Sequence, residues 1–413
     1  MPRIDRRTAL TLAGASVLAM PALRSARAQA QGSAKKLVFG GSIPLSGGAA
    51  ETGLNVNNGY LTAVKYLNEQ GGVDIAGTKY QLELRLFDDA SDPSRATTLI
   101  QRLLDGNVDF FLGSFGSNIV LPTAAITERA EKPMVQAGGG SDQIFNQGYQ
   151  FVFGMFPRAT RQFQSTVAFF KTLNPQPKTF SVIATNDAFS KTFAAGIVKD
   201  CQAAGYQLIE NYLLPEQISD ASSVLSSIRS KTPDMLLCAM HDQNSLLIAR
   251  QMIATGTNVG LLFQGLGPQL ASYREALGKH ANGIFYSTYW DQRTTWKDPF
   301  FESPAKFAEY YGKNFTRPLA YHVAAGAACI ITYVKAMQAA RSIDPVKVRD
   351  ALAATDLETL YGRVKFTKEG DGDAVAMGPS VGQVLKSAGE VVYPAGGKTA
   401  ELLWPVPAWD KKS

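Results

Sequence analysis

Apolar stretches with the pattern of buried strands alternate with helical stretches along most of the chain. Residues 56 to 67 repeat apolar side chains at helical spacing until Gly71 and Gly72 end the pattern. The segment YQLELRLFDD then alternates leucine with polar residues, which predicts a half-exposed strand. Asp92 followed by Pro93 predicts the start of the next helix. Because strands and helices alternate without a break, we predict an α/β fold in which parallel sheets carry helices on both faces.

The same alternation starts again after Pro157. Strands are predicted at TFSVIA, YQLIEN and DMLLCAM, and helices at about Thr160 to Thr172, at SKTFAAGIVKDCQAAG, near Ser222 to Ser230 and at SLLIARQMIATG. The sequence contains no linker rich in proline, glycine or serine between the two runs. We therefore predict two α/β lobes that are joined directly and share a cleft for a ligand.

Two glycine-rich turns follow neighbouring predicted strands of the first lobe. The stretch FFLGSFGSNIVLPTAA predicts a strand, a loop from Gly113 to Ser117, and a helix that begins at Asn118. A second loop, AGGGSD from Ala137 to Asp142, follows the next strand. Ligands of open α/β sheets bind at the carboxyl ends of strands, where free amides at a helix start favour an anion or a carbonyl oxygen. Each loop alone is equally consistent with a permissive turn, but the two together predict a binding site.

The first thirty residues have the three parts of an export signal. Arg6 and Arg7 precede an apolar run from Ala9 to Ala22, and small residues at the end of the segment offer A-x-A cleavage sites. The run is shorter than the ~20 residues of a spanning helix, which favours cleavage over a membrane anchor. The adjacent arginines indicate twin-arginine export, with an ordinary signal as the alternative. We predict a periplasmic mature chain that starts near Gln29 or Gln31.

Charge and motifs disfavour nucleic-acid binding and catalysis. The predicted signal holds five Arg and one Asp, which account for +4 of the formal net charge of +6 and leave +2 for the mature chain. A nucleic-acid binder would need clustered lysine and arginine. The sequence has no nucleophile elbow, HExxH or Walker loop, and GGSIPLSGG lacks the GxGxxG spacing. Asp88 and Asp89 point to opposite faces of a strand and make a poor acid–base pair. We predict a protein that is not an enzyme and uses no cofactor or metal.

The cysteines favour core packing over chemistry. Cys201, Cys238 and Cys329 are spaced too widely for a metal site, and at most one pair of them could form a disulfide. Apolar neighbours in MLLCAM and AACII favour packing of Cys238 and Cys329 in the core. The three histidines of the sequence also lack a metal-ligand spacing.

Several segments, taken in order, resemble one family over nearly the whole mature chain. They are GSIPLSGGAAETG, AVKYLNEQGGVDIAGTKYQLELRLFDDASDPSRA, DFFLGSFGS, YHVAAGAACIITYVKAMQAA, DPVKVRDALAATD, YGRVKFTKEGD and VVYPAGGKTAELLWPVPAW. The chain is similar to periplasmic solute-binding proteins of the branched-chain amino-acid class, which are type I periplasmic binding proteins. The run from Leu45 to Ala96 is the specific part of the likeness.

The resemblance implies two Rossmann-like lobes with parallel sheets, joined by three crossover strands and closing like a hinge over one solute. The implied crossings lie near Gly154 to Pro157, Asn282 to Thr288, and Gly362 to Phe366. The implied divisions are residues 1–30 for the signal, 31–155 with 283–363 for the N-terminal lobe, and 156–282 with 364–413 for the C-terminal lobe. The closed form would dock on the permease subunits of an ABC importer. Because no cysteine stands at a signal cleavage site, we expect a soluble chain without a membrane anchor. We also expect a monomer.

The resemblance also implies a site for a carboxylate. In the amino-acid binders of the family the ligand carboxylate sits on a serine and amides that correspond to Ser117 and the loop from Gly138 to Ser141. The threonine that grips the α-ammonium falls at Gly140, and its acidic partner falls near Leu266. The α-amino group therefore loses its usual contacts at these two positions. An ammonium without an acidic partner is costly to desolvate. The full set of predicted ligand-binding residues is Thr52, Phe115, Gly116, Ser117, Gly138, Gly139, Gly140, Ser141, Phe189, His241, Asp242, Leu266 and Tyr289.

Aromatic positions complete the predicted pocket. The family's aromatic residue against the ligand side chain aligns with Phe189, and a second aromatic position falls at His241. The position of His241 is equally consistent with a structural and a functional role. Its neighbour Asp242 is a candidate for the acidic partner, displaced from its usual position in the family. The candidates for an aromatic lining, each of which core packing also explains singly, are Phe115, Phe189, Tyr289 and Trp290.

These observations predict the solute-binding component of an ABC importer, which captures a small carboxylate-bearing solute. We expect an aromatic or short-chain organic acid that lacks an α-amino group. One alternative is a Leu/Ile/Val binder whose ammonium contacts have moved to Asp242 or to main-chain carbonyls. Another is the ligand-sensing subunit of a regulatory system, although the export signal disfavours a cytoplasmic regulator and the lack of a predicted spanning segment disfavours a receptor ectodomain.

Overall fold

The alternating pattern of the sequence folds into two large sheets with helices between the strands. A computed structural model describes residues 35–394 and 397–412, so the predicted export signal lies outside the described residues. The first elements are β1 (Lys35–Ile43), α1 (Ala50–Glu69), β2 (Val73–Ile75), β3 (Thr78–Asp88), α2 (Pro93–Asp105), β4 (Phe110–Leu112), α3 (Ser117–Arg129), β5 (Met134–Gln136), α4 (Asp142–Phe145) and β6 (Val152–Gly154).

The middle of the chain repeats this alternation. Its elements are a 3₁₀ helix (Ala159–Arg161), α5 (Gln164–Phe170), β7 (Thr179–Thr185), α6 (Ala188–Ala203), β8 (Gln207–Leu214), α7 (Ser222–Lys231), β9 (Met235–Ala239), α8 (Asp242–Thr255), β10 (Leu261–Gln264), α9 (Ala271–Leu277), a 3₁₀ helix (Gly278–Ala281) and β11 (Phe285–Thr288). The last elements are α10 (Pro304–Asn314), α11 (Tyr321–Ala340), α12 (Pro345–Ala353), β12 (Asp356–Thr359), β13 (Gly362–Lys365), α13 (Ala374–Met377), β14 (Ser380–Leu385), β15 (Ala388–Tyr393) and a 3₁₀ helix (Trp409–Lys411).

Each lobe is built on one sheet of the described chain. The first sheet has six strands in the order β2-β3-β1-β4-β5-β6, and the second has seven in the order β15-β14-β11-β10-β9-β7-β8. In the first sheet, β3, β1, β4, β5 and β6 pair in parallel with their neighbours. In the second sheet, β11, β10, β9, β7 and β8 do the same. The edge strands β2, β14 and β15 pair antiparallel. The predicted α/β fold with two parallel-sheet lobes is confirmed.

Local predictions are mostly confirmed. Asp92 caps α2 by accepting a hydrogen bond from the Arg95 amide at 2.8 Å. The predicted single helix from Thr160 to Thr172 is wrong, because a 3₁₀ turn and the shorter α5 replace it. The amide and hydroxyl of Thr160 both donate to the Asp142 carboxylate, at 3.0 and 2.5 Å, and this tie to α4 separates the turn from α5.

Strand pairing bears on one predicted lobe boundary, while the boundaries as a set stay a prediction. β11 falls within the segment 283–363 that was assigned to the N-terminal lobe, yet it pairs with β10 and β14 of the second sheet. We therefore place the second crossing after Thr288. The helices that follow, α10 to α12, pack into the same hydrophobic cluster as the first sheet.

A buried ion pair joins the chain segments that follow the first and third predicted crossings. The Arg158 guanidinium donates to both oxygens of Asp371, at 2.9 and 3.2 Å, and the Arg158 amide donates to the same carboxylate. Burial opposes ionisation of Asp371, but the hydrogen bonds from Arg158 outweigh it and lower the pKa of the carboxyl group. The ion pair thereby ties the two chain segments together.

Helix α11 is the central helix of the first lobe. Among the described helices, this one has the length (20 residues) and the apolar composition to cross a membrane. However, 78% of its most apolar stretch is buried inside the fold. It packs closely on α1 because Gly59 of α1 has no side chain. A Cβ atom at this position would lie only 2.2 Å from the Val323 carbonyl oxygen. The sequence analysis predicted no membrane-spanning segment and did not consider this helix. In the fold it forms core.

The three cysteines are buried and free within the described residues, as the prediction of core packing requires. Burial raises the pKa of the Cys201 and Cys238 thiols to about 12. A thiol with so high a pKa is a poor nucleophile, which agrees with a structural role.

Candidate ligand-binding site

A chamber lies where the carboxyl ends of strands from both sheets face each other. Its empty volume is about 450 Å³, and it is called the inner chamber below. The residues that line it are Phe115, Gly138, Gly140, Phe156, Gln162, Phe189, Phe193, His241, Gly265, Leu266, Ser287, Tyr289, Tyr321 and His322. Loops after β4 and β5 supply one wall, and loops after β7, β9, β10 and β11 supply the other.

The structure divides the predicted site residues between two spaces. Those that line the inner chamber are Phe115, Gly138, Gly140, Phe189, His241, Leu266 and Tyr289. Gly116, Ser117 and Asp242 line a larger space of about 1700 Å³ that opens to solvent and is called the outer cavity below. Phe115 and His241 line both spaces and therefore form the wall between them.

The remaining predicted residues lie beside these spaces. The Thr52 hydroxyl donates a hydrogen bond of 2.6 Å to Asp242, and the side chain of Gln269 donates to the other carboxylate oxygen at 3.1 Å. Gly139 and Ser141 belong to the loop behind the wall and are not among the described lining residues of either space. Asp242, the candidate for a displaced carboxylate, thus links α1 to α8 at the outer cavity, and burial raises the pKa of its carboxyl group.

Trp290, a candidate for the aromatic lining, is not among the residues that line the inner chamber. Its indole N–H donates to the Leu360 carbonyl at 2.8 Å, and its ring meets Phe307 edge-on. These two contacts turn the side chain into the first lobe's core, where the indole N–H has a partner.

The loop from Gly138 to Ser141 has its amides bonded within the protein. The Gln136 side-chain oxygen accepts from the amides of Gly138 and Gly139, at 2.8 and 2.6 Å. The Ser117 hydroxyl oxygen accepts from the amides of Gly140 and Ser141, at 3.1 and 3.0 Å. Four successive amides of the predicted carboxylate cradle therefore already have acceptors.

Close packing requires glycine at position 138 and favours it at position 140. A Cβ atom at Gly138 would lie 2.1 Å from the Ser114 carbonyl oxygen, because the two glycine-rich loops touch there. At Gly140 it would lie 2.8 Å from the Gln162 amide nitrogen and 3.3 Å from the Phe189 ring. A threonine at position 140 would displace Gln162, which gives the change from the family pattern a steric reason.

Aromatic rings form most of the chamber walls. Phe189 stacks on Phe193 with ring centroids 5.5 Å apart, and His241 lies 5.6 Å from Phe189. Phe115 meets the ring of His322 edge-on at 5.3 Å and that of His241 at 6.0 Å. The spacings are those of favourable aromatic contacts, so the walls form an apolar slot between rings.

The pKa values of the two chamber histidines are shifted in opposite directions. Asp187, which caps α6, lies 3.4 Å from His241 Nε2. Burial disfavours the imidazolium, but the hydrogen bond and charge of Asp187 outweigh it and raise the pKa of His241. Burial also opposes ionisation of Asp187, yet the contact with His241 holds the pKa of that carboxyl group well below its usual range. At His322, burial and the charge of His241 lower the pKa to about 3, so this ring is neutral.

Several polar atoms of the chamber have no hydrogen-bond partner among the described residues. They are the hydroxyls of Ser287 and Tyr289 and the Nδ1 atoms of His241 and His322. The described lining residues include no Asp, Glu, Lys or Arg. In the part of the chain that the structure describes, no group of three His, Cys, Asp or Glu side chains is placed to hold a metal. The chamber can therefore receive an organic molecule with polar ends and an apolar body.

Half of this chamber was missed by sequence reasoning. The missed lining residues are Phe156, Gln162, Phe193, Gly265, Ser287, Tyr321 and His322. Phe156 and Ser287 fall inside the predicted crossings, which was the available indication that they lie near the cleft. Tyr321 and His322 begin an apolar helix, and the sequence around them gives no indication of a site.

Comparisons with known proteins agree with this architecture. The family described as "Periplasmic binding protein" matches residues 36–388. A relative from Pseudomonas aeruginosa, the leucine-, isoleucine-, valine-, threonine- and alanine-binding protein, is 24% identical over 331 residues, which cover 79% of this chain and 85% of that protein.

Solved structures show the same fold. The leucine-binding protein LivK of Thermotoga maritima aligns with a TM-score of 0.77 and 21% identity, over 86% of this chain and 98% of that one. A solute-binding protein of an ABC transporter from R. palustris, in complex with benzoate, aligns with a TM-score of 0.72 and 16% identity, over 90% of this chain and 99% of that one. The chain therefore belongs to the periplasmic binding protein family, in the branched-chain amino-acid class of type I periplasmic binding proteins.

Proposed function

We propose that the chain is the periplasmic solute-binding component of an ABC importer whose solute is a small organic acid without an α-amino group. The observation that carries this proposal is an aromatic chamber with no acidic side chain among its described lining residues. An α-ammonium enclosed there would lose its water without gaining a carboxylate partner. A carboxylate, by contrast, meets hydroxyl and imidazole groups that have no partner among the described residues.

The relatives support both an acid and an amino acid as the class of solute. The protein from R. palustris was solved with benzoate, a carboxylate on an aromatic ring. The relative from Pseudomonas aeruginosa is named for five amino acids. A Leu/Ile/Val binder is therefore the second candidate, with Asp242 in the adjacent outer cavity as the group that would meet the ammonium. Because Asp242 already accepts from Thr52 and Gln269, we favour the acid.

Matched pairs of ligands test this choice. Leucine is compared with 4-methyl-2-oxopentanoate and phenylalanine with phenylpyruvate, and benzoate is added as a ring without a side chain. Each keto acid differs from its amino acid only at the α position. A ligand present at a hundredfold excess over its Kd stabilises the protein by roughly 2.7 kcal/mol, which thermal unfolding detects.

We expect the keto acids or benzoate to raise the melting temperature and the amino acids to leave it unchanged. Stabilisation by leucine, isoleucine or valine, with none from the acids, would refute the missing-ammonium argument and leave the amino-acid binder. Recovery of the bound acid unchanged after prolonged incubation checks the expected lack of catalysis.

Location and partners follow from the same proposal. We expect the mature chain in the periplasm as a monomer, starting near Gln29 or Gln31, with the permease subunits of an inner-membrane ABC importer as its docking partner. Mass spectrometry of the native protein checks the mature N-terminus, and retention of residues 1–30 would contradict export with cleavage. Permease and ATPase genes beside this gene would distinguish an importer from the sensing subunit of a regulatory system.

A further inference from the structure

We propose that the N-terminus of α11, together with Ser287, Tyr289 and His322, forms the subsite that holds the carboxylate of the ligand. This proposal rests on the proposed function and adds where the acid group binds. The amides at the start of α11 and the side chains of Ser287, Tyr289 and His322 are together called the α11 subsite below. They lie at the crossing side of the inner chamber, where β11 ends and α11 begins.

The N-terminus of α11 presents amides without acceptors. The cap residue Ala320 makes no side-chain hydrogen bond to the helix, and the Val323 amide bonds back to the Ala320 carbonyl at 2.9 Å. The amides of Tyr321 and His322, both buried, have no acceptor among the described residues. Free amides at the positive end of a helix attract an anion, and α11 is 20 residues long.

Unpartnered side chains of the chamber point to a ligand independently of the helix amides. The Ser287 hydroxyl comes from β11, is in a residue only 4% exposed, and has no partner among the described residues. The Tyr289 hydroxyl and His322 Nδ1, the latter in a residue 1% exposed, are also without partners in the described chain. Buried polar groups normally find partners, so three unpartnered polar side chains among the residues that line one chamber indicate a missing acceptor.

The chemistry of the set suits a carboxylate. Two hydroxyls and the N–H of a neutral imidazole can each donate one hydrogen bond, and the helix adds main-chain donors. A carboxylate offers two oxygens that accept several such bonds at once. A preorganised array of this kind stabilises a negative charge without a lysine or arginine.

The other two candidate positions offer less. The amides from Gly138 to Ser141 already donate to Gln136 and Ser117. His241 offers a single N–H at Nδ1, and its Nε2 atom lies 3.4 Å from the Asp187 carboxylate. The α11 subsite therefore has the larger number of available donors, and the ligand body would lie against Phe115, Phe156 and Phe189.

Paired hydroxyl deletions test the α11 subsite. Ser287→Ala and Tyr289→Phe each remove one donor from it. Ser181→Ala and Tyr361→Phe are the matched controls, because each removes a buried hydroxyl that lacks a partner among the described residues but does not line the inner chamber. The probes are benzoate with benzamide and 4-methyl-2-oxopentanoate with its amide, measured by isothermal titration calorimetry on the intact protein.

We expect Ser287→Ala and Tyr289→Phe, called the α11 variants, each to weaken the binding of both acids about tenfold or more. This is the loss typical of a hydrogen bond to a charged group. Binding of the neutral amides should weaken less, so the ratio of acid to amide affinity narrows. The control variants should keep the wild-type ratio. A general loosening of the chamber would lower both affinities together, and the ratio separates the two effects.

The outcomes distinguish this proposal from the proposed function. If the wild type prefers the acids and the α11 variants keep that preference, the α11 subsite is overturned while the acid-binding function stands. If the wild type binds none of these probes and none of the other acids, both proposals fall. If Ser117→Ala removes the preference and the α11 variants do not, the carboxylate belongs to the glycine-rich loop.

Discussion

The inner chamber has two sets of hydrogen-bond donors that differ in what they already bind. The loop from Gly138 to Ser141 looks like a ligand cradle in sequence, yet its amides donate to Gln136 and Ser117. The α11 subsite has no such appearance in sequence, and its donors lack acceptors among the described residues. Glycine and serine in a loop therefore do not by themselves mark the place where a ligand binds.

The difference also separates stability from binding. A satisfied buried hydrogen bond contributes about 0.5–1.5 kcal/mol to folding, whereas leaving a buried donor unsatisfied costs about 1–3 kcal/mol. The loop should then be a stabilising part of the fold, and the α11 subsite a part that gives up stability until a ligand arrives. Substitutions in the two regions should change different quantities.

The largest effect is expected for Gln136→Leu. Gln136 is fully buried, accepts from two loop amides and donates to the Gly139 carbonyl at 2.8 Å. Because its removal leaves two buried amides without acceptors, we expect the free energy of unfolding to fall by about 2–5 kcal/mol. Urea denaturation followed by circular dichroism measures this loss.

Gln101→Leu serves as the control, because Gln101 is exposed on α2 and should change stability by no more than about 0.5 kcal/mol. If the two substitutions cost the same, Gln136 does not hold the loop and the loop amides are available for a ligand.

The next effect is expected for Ser117→Ala. Its oxygen accepts from the Gly140 and Ser141 amides, so we expect a loss of about 1–3 kcal/mol in the free energy of unfolding. Benzoate affinity should change less than in Ser287→Ala, whereas the sequence predicted a loss of binding at this serine. A benzoate affinity that falls further in Ser117→Ala than in Ser287→Ala would reverse the comparison.

A smaller and pH-dependent effect is expected for His241→Gln. Contact with Asp187 raises the pKa of His241, so its contribution to stability is complete below the unfolded value of about 6.5 and is lost as pH rises through the higher folded value. The stability difference between wild type and His241→Gln should therefore be largest in mild acid and shrink in alkali. We expect less than about 1 kcal/mol, because His241 is partly exposed and the contact is long.

The control is the same substitution in an Asp187→Asn background, where this pH dependence should vanish. Chemical denaturation at a series of pH values supplies the comparison, and a difference that grows towards alkaline pH would be opposite to the expected sign.

The smallest effect on stability is expected for Ser287→Ala. Its hydroxyl has no partner among the described residues, so deletion should leave the free energy of unfolding within about 0.5 kcal/mol or raise it slightly. The same chemical change at Ser117 should cost more, and the pair of urea denaturation curves compares the two regions directly. A loss above about 1 kcal/mol at Ser287 would show that the hydroxyl has a structural partner.

Much of the fold could be predicted because its causes are local. Alternation of strand and helix patterns, and the Asp92 cap, act over a few residues and are legible in sequence. The helix predicted from Thr160 to Thr172 was drawn wrongly because Asp142, distant in sequence, fixes its first turn. Cross-chain contacts of that kind leave no periodic pattern.

The site was predictable to a smaller extent for the same reason. Phe189, His241 and Leu266 were found from the family pattern, and they line the chamber. Ser287 and His322 come together only after β11 and α11 have packed, and neither is part of a motif. Gln136 lies at the end of a strand in PMVQA, and nothing in that segment shows that its amide group bonds to the following loop.

The burial of α11 bears on the predicted export of the chain. A chain threaded unfolded through a translocation channel would present Tyr321–Ala340 as an apolar stretch of 20 residues, about the length that spans a bilayer. Such a stretch can leave the channel sideways and stop in the lipid. Once α11 has packed against α1, its apolar face is no longer available to lipid. Folding before translocation removes this competing destination, and that is the order of events on the twin-arginine route predicted from Arg6 and Arg7.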